Sequence, residues 1–352
     1  MQKRVPQLDA VRGIAILLVM LVNTSEKYPA LHLQRVFANG WMGVDLFFAL
    51  SGFLITGILL DTKDSPHYFK NFYVRRALRI LPLYYAILLL MFVLVPLLRP
   101  SEAHTVFERS SPWWAYPVFL QNFLVASSTM AAGPLGTTWS LAIEEQFYLL
   151  WPLLVRFCSS ALLRRIATIM ILLAVPLTYY LAMHHFQIYS NVFCRQVGLM
   201  AGALLALLVR KENFEPSRNL KTAWWLFAVT LSLAFISEHF RAQWLAFTMV
   251  GLAASSFIFL SLYSEQRWLQ AALRNRFLIY SGIISYGLYL THKIPGDLAQ
   301  ALHWDQHRAV ILPVVFAGSY GLAMLSWNFL EKPFLRLKRF FATPYSVNQP
   351  SL

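Results

Sequence analysis

The sequence predicts an all-α polytopic membrane protein with about ten transmembrane helices and both termini cytoplasmic. Three observations predict it. Of 352 residues, 58% are hydrophobic and only 13% are charged, whereas an average soluble domain carries roughly a quarter charged residues. Apolar runs of about 20 residues, enough for a helix to cross the hydrocarbon core, recur along the whole chain. Most Lys and Arg residues fall in alternate connecting segments, the pattern that marks cytoplasmic loops.

In order, the expected spans are 8–27, 41–60, 77–98, 139–157, 165–184, 191–210, 222–240, 243–262, 276–294 and 309–331. The first follows Lys3 and Arg4, but Asp9 and Arg12 interrupt it and no small-residue cleavage site follows, so it reads as a retained span. Residues 112–128 are apolar yet short and rich in proline and tryptophan, which suits an interfacial or re-entrant piece. Counting them as a span would place Arg210, Lys211, Arg218 and Lys221 outside, against the charge pattern. The same pattern accounts for the net charge of +14 without nucleic acid. Cys158 and Cys194 lie in apolar segments, with neither a disulfide framework nor metal spacing. Residues 1–340 form one transmembrane domain and 341–352 a polar tail.

Ionisable groups inside a membrane are costly, so each is a functional candidate. Arg12 and Asn23 are eleven residues apart on the first span, which puts them within roughly 20° of one face and about 16 Å apart. By depth, Arg12, Arg75, Arg76, Arg79 and Glu331 are expected near the cytoplasmic side. Asn23, Asp45, Glu144, Glu145, Arg195 and His292 are expected in the outer half. A guanidinium cluster at Arg76 and Arg79 suits a phosphate-bearing ligand, with anionic lipid headgroups as the alternative. On the second span Asp45, Ala49, Gly52 and Thr56 follow helical spacing. The small residues allow close helix approach, whereas Asp45 needs a polar partner or a functional duty. Ser140, Glu144 and Tyr148 share a face of the fourth span. Adjacent Glu144 and Glu145 repel, as an acid–base group requires, while one of them is expected to pair with Arg195 or Arg79. Ser285, Tyr289 and His292 share a stripe of the ninth span, where His292 suits a structural hydrogen bond as well as catalysis.

Six motifs appear in order over residues 8–335. They are Leu8-Asp9-x-x-Arg12-Gly13-Ile14-Ala15, then Gly43-Val44-Asp45-Leu46-Phe47-Phe48-x-x-Ser51-Gly52-Phe53, then Arg75-Arg76-x-x-Arg79-Ile80-x-Pro82-x-Tyr84-Tyr85. After them come Trp139-Ser140-Leu141-x-x-Glu144-Glu145-Gln146-Phe147-Tyr148, Ser285-Tyr286-x-Leu288-Tyr289-Leu290-x-His292 and Glu331-x-Pro333-Phe334. With them the chain resembles the integral-membrane acyltransferase-3 family of envelope-glycan O-acyltransferases. The resemblance implies a ten-helix fold in the cytoplasmic membrane, a donor acyl-CoA (usually acetyl-CoA) and no tightly bound cofactor or metal. It also implies an acceptor hydroxyl on an envelope glycan or lipid-linked sugar, and CoA phosphates held by Arg12, Arg76 and Arg79. Position 23, Asp45, Glu144 and Glu145 would line the transfer site.

The chain departs from the family pattern at one place: Asn23 stands where the family has a histidine regarded as catalytic. An amide carries no titrating proton near neutrality, and losing a general base costs on the order of 10²–10⁴-fold in rate. Three readings stay open: a variant with the histidine replaced, a member with weakened chemistry, or a site whose base is another group such as Glu145 or His292. In the last, Asn23 supports the developing oxyanion. The rival class is a non-enzymatic transporter or export component for a glycan or lipid.

Overall fold

The computed structural model describes residues 5–28, 32–100, 111–125, 133–304 and 308–341. Among them there is no strand, and helices occupy each of the expected spans. The principal helices are α1 (Pro6–Lys27), α2 (Met42–Asp61), α3 (Tyr68–Leu89), α4 (Thr138–Phe157), α5 (Ser160–Met183), α6 (Val197–Leu208), α7 (Pro216–His239) and α8 (Gln243–Tyr263). They are followed by α9 (Arg276–Ile283), α10 (Ser285–Thr291), α11 (Lys293–Ala301) and α12 (Arg308–Ser326). Seven helices in the described residues are long and apolar enough to cross a membrane. The protein is a polytopic helical membrane protein.

Local chemistry sets several helix ends. Pro6 opens α1 where its missing N–H costs nothing. Ser159 caps α5 through Leu162 N, and Asn275 caps α9 through Phe277 N and Leu278 N. The structure lengthens the third span at its start, because Tyr68 and Phe72 are buried against the bundle. Tyr68 also donates to the Pro152 carbonyl at 3.0 Å. The ninth expected span is not continuous: it breaks at Ile284 and again at His292. The tenth runs on from α12 through a wide turn, Trp327–Glu331, into Lys332–Arg336 and Leu337–Phe341.

Residues 112–125 contain no span-length helix. Tyr116, Gln121 and Asn122 are buried between α3 and α4, while Trp113 and Trp114 are exposed. Gln121 Nε2 donates to the Thr138 carbonyl at 2.9 Å and to Tyr84 OH at 3.2 Å. Gln146 Nε2 donates to the Phe119 carbonyl at 2.8 Å. The non-helical backbone is thus tied into protein, as a low-dielectric setting demands.

The centre of the bundle is α1, α2, α6 and α8. Gly40 faces Leu18 and Val22 while Gly43 faces Ala15 and Val19, so α1 and α2 run antiparallel. Gly198 abuts Asp45 and Phe48 while Gly202 abuts Ala49 and Phe53, and Gly52 in turn abuts Leu199 and Ala203, so α2 and α6 lie parallel with backbones in contact. A methyl group at Gly202 would land on the Ala49 carbonyl. The small residues of α2 are therefore packing residues. Thr56 instead accepts the indole N–H of Trp151 from α4 at 2.8 Å.

Candidate active site

Two polar assemblies lie inside the bundle, and they divide the sequence candidates differently from depth alone. The first joins α1, α2, α3 and α4. On α1, Arg12 is held by Asp9 one turn earlier, Nη1 to Oδ1 at 2.7 Å, and lies in the field of Arg76 and Arg79. On α3, Arg75, Arg76 and Arg79 are each half-buried. Among the described residues these three make no hydrogen bond or ion pair. Arg76 lies over the rings of Phe72 and Tyr148, each at 5.8 Å.

Glu144 belongs to this assembly. Ser51 Oγ donates to Glu144 Oε1 at 2.6 Å, and Tyr148 OH lies 3.3 Å from Oε2 and 3.1 Å from Ser51 Oγ. The charges of Arg76 and Arg79 act on Glu144, and that of Arg76 acts on Glu145. This corrects the expectation that both glutamates sit with the outer group. The α3–α4 register sets the level: Tyr73 of α3 reaches the Leu149 carbonyl of α4. Arg76 and Arg79, further along the antiparallel α3, therefore come level with Tyr148 and Glu144. One Glu145 carboxylate oxygen, Oε1, is buried without a partner. Glu331, also buried, accepts from Ser326 at 3.0 Å and lies in the field of Arg79.

The second assembly holds Asp45. Arg195 Nη2 donates to Asp45 Oδ2 at 2.9 Å, with the side chains 0% and 1% exposed. The guanidinium is enclosed by Phe247 at 4.2 Å, Trp41 and Tyr189 at 5.2 Å and Trp139 at 5.5 Å. Arg195 thus pairs with Asp45 rather than with a glutamate of α4. Its Nε and Nη1 have no hydrogen-bond partner and face aromatic π-clouds. Asp45 thus has its polar partner in Arg195, and both side chains are buried.

Asn23 and His292 stand apart from both. Asn23 Nδ2 donates to the Val19 carbonyl at 2.8 Å. His292 Nδ1 lies 2.9 Å from the Tyr289 carbonyl and 3.1 Å from that of Leu288, which assigns the proton to Nδ1. Nε2 is then a bare acceptor, buried and without a partner. Ile16 and Met20 of α1 share a cluster with Ile284 and Leu288, and Tyr28 OH donates to the Gly296 carbonyl at 2.8 Å. These contacts bracket Asn23 and His292 and set them at one level. Tyr289, between them and α4, hydrogen-bonds Ser140 and donates to the Thr137 carbonyl at 3.2 Å.

The sequence reading missed Ser51, a lone hydroxyl in an apolar run whose orientation toward Glu144 depends on which helices adjoin.

A family model described as an acyltransferase domain matches residues 5–330. The chain belongs to the acyltransferase-3 family. It is 28% identical over 94% of its length to the peptidoglycan O-acetyltransferase OatA of Listeria monocytogenes, covering 56% of that protein. It is 29% identical to the putative peptidoglycan O-acetyltransferase YrhL of Bacillus subtilis, again over 94% of this chain and 54% of the relative. A putative O-acetyltransferase of Staphylococcus aureus strain COL is 27% identical, over 94% of this chain and 57% of its own. The chain thus spans about half the length of these relatives. No solved structure matches it.

Proposed function

We propose that the protein is an O-acyltransferase of the cytoplasmic membrane, moving an acyl group, acetyl first, from acyl-CoA to a hydroxyl of an envelope glycan. The observation that supports the donor is the set of half-buried arginines on α3 that make no ion pair among the described residues, Arg76 and Arg79 above all, in the field of which Arg12 lies. Guanidinium groups bind phosphate oxygens in pairs, and CoA offers a pyrophosphate and a third phosphate. Glu144, fixed by Ser51 and Tyr148, orients the arginines as a counter-charge. The rise of about 16 Å from Arg12 to Asn23 accommodates the arm between CoA's phosphates and its thioester. The named relatives, peptidoglycan O-acetyltransferases among them, support an envelope-polymer acceptor.

His292 is the base in this reading. Its Nε2 lone pair has no protein partner and lies level with the position where the family's histidine is missing. The acceptor hydroxyl attacks the thioester carbonyl as Nε2 takes its proton. Asn23 has one N–H beyond the one given to Val19, and it supports the oxyanion. The thiolate then leaves as free CoA and regains the proton from His292. Asp45, sealed with Arg195, acts only by holding α2 in place.

The test is release of free CoA and transfer of labelled acetyl to peptidoglycan fragments by the protein in liposomes. His292→Gln is expected to lower transfer on the order of 10²–10⁴-fold while acetyl-CoA binding persists. Asn23→His is expected to restore part of that loss. Unchanged transfer in His292→Gln sinks the base assignment, and glycan movement without CoA release by the wild type supports the transporter.

A further inference from the structure

After the wide turn Trp327–Glu331, the chain does not leave the bundle. Lys332–Arg336 and Leu337–Phe341 fold back against α3. This brings Lys338 to the stretch of α3 that bears the arginines, where the charges of Arg79, Arg76 and Arg75 all act on its ammonium group. Lys338 is half-buried, whereas its neighbours Leu337, Arg339 and Phe340 are exposed, with Arg339 over the Phe340 ring at 4.8 Å. Among the described residues Lys338 makes no hydrogen bond or ion pair, and neither do Arg75, Arg76 and Arg79. Glu144 and Glu145 lie in the field of Arg76 and Glu331 in that of Arg79, whereas the charges acting on Lys338 are those of the arginines. Arg75, Arg76, Arg79 and Lys338 outnumber the three acids in their field, Glu144, Glu145 and Glu331, so their mutual repulsion is only partly offset, and in a low-dielectric setting it is poorly screened. The three arginines are held there by one helix, α3. Lys338 is brought by a separate turn that packs onto the face from outside.

We propose that Lys338 is a phosphate ligand of the donor site, and that the turn Leu337–Phe341 supplies the wall closing over the polyphosphate of acyl-CoA. The proposal rests on the acyl-CoA reading and adds to it a binding residue from a segment outside the six motifs. The site takes a ligand with clustered phosphate charges, its phosphates lying between α3 and the turn. An anionic lipid headgroup shares that chemistry, so the experiment separates the two sources.

Acetyl-CoA binding and the unliganded melting temperature are measured on the full chain in phosphatidylcholine nanodiscs, for the wild type, Lys338→Gln and Lys338→Arg. Lys338→Gln is expected to weaken acetyl-CoA binding about tenfold or more, leaving the unliganded melting temperature equal or higher because one repelling charge is gone. Lys338→Arg is expected to keep the affinity. Unchanged affinity in Lys338→Gln, or a lower unliganded melting temperature, overturns the proposal, since the lysine is then a bystander or a structural strut. The same proteins are compared in nanodiscs containing phosphatidylglycerol. If Lys338→Gln loses only stabilisation by that lipid and still binds acetyl-CoA as the wild type does, the ligand is a headgroup and the proposal fails. If the wild type itself does not bind acetyl-CoA, the donor reading falls first, distinct from a wild type that binds while Lys338→Gln is indifferent.

Discussion

Arg195 and Arg76 are the same residue type set among apolar helices, and the bundle treats them in opposite ways. Arg195 is wholly buried, with Asp45 for its charge and four aromatic rings around its plane. Arg76 is half-buried, touches two rings at the longer distance of 5.8 Å and, among the described residues, makes no ion pair, with Glu144 and Glu145 only in its wider field. A buried charge without compensation is expensive, so a fold that encloses a cation fully must also enclose its answer. A half-buried cation that makes no ion pair can instead be answered by a ligand's charge. The first arginine is answered from within the fold; the second is the one the proposed donor site uses.

Substitutions can break that contrast, the largest effect first. Arg195→Gln strands Asp45 in an aromatic enclosure and is expected to cost about 3–5 kcal/mol. The loss should appear as a lower melting temperature in detergent, and Arg195→Met with Asp45→Leu should recover much of it. Arg76→Gln with Arg79→Gln should do the reverse. Acyl-CoA affinity should fall about 10–100-fold with no drop in melting temperature, and a drop would place both arginines with Arg195 as structural. Gly202→Ala presses a methyl group onto the Ala49 carbonyl and is expected to destabilise by about 1–3 kcal/mol without altering acyl-CoA affinity. Trp151→Phe removes one buried hydrogen bond to Thr56 and should cost about 1 kcal/mol by the same measurement. Lying beyond Ser51 and Tyr148 on the side away from Asp45, it should leave the Arg195 enclosure unchanged.

The helices were legible because hydropathy and span length act locally, residue by residue along the chain. Arg12, Arg76 and Arg79 were legible as one cluster because charge inside an apolar run is visible at once and helical spacing puts Arg76 and Arg79 on one face. What sequence could not supply was which helices adjoin. Asp45 and Arg195 are 150 residues apart, and equal depth alone made Glu144 or Glu145 as good a partner for Arg195 as Asp45. The Glu144 level depended on the register of α3 against α4, fixed by hydroxyl–carbonyl bonds from Tyr68 and Tyr73. The break at Ile284 had no proline to announce it, and Pro295, in the first turn of α11, fell just past the expected end of the ninth span, so that span read as one helix.

The contact of α2 with α6 has a mechanical consequence. The two helices are pinned by Asp45 to Arg195 at one end, by backbone contact at Gly52 and Gly202 along their length, and by Asp61 to Arg210 at 2.9 Å at the other. Side chains can slide past one another by changing rotamer, but carbonyls seated against glycines cannot. The α2–α6 pair is therefore a stator. Any motion that admits a donor from one side and an acceptor from the other has to be carried by the helices around it, with the segmented run α9–α10–α11 offering the joints.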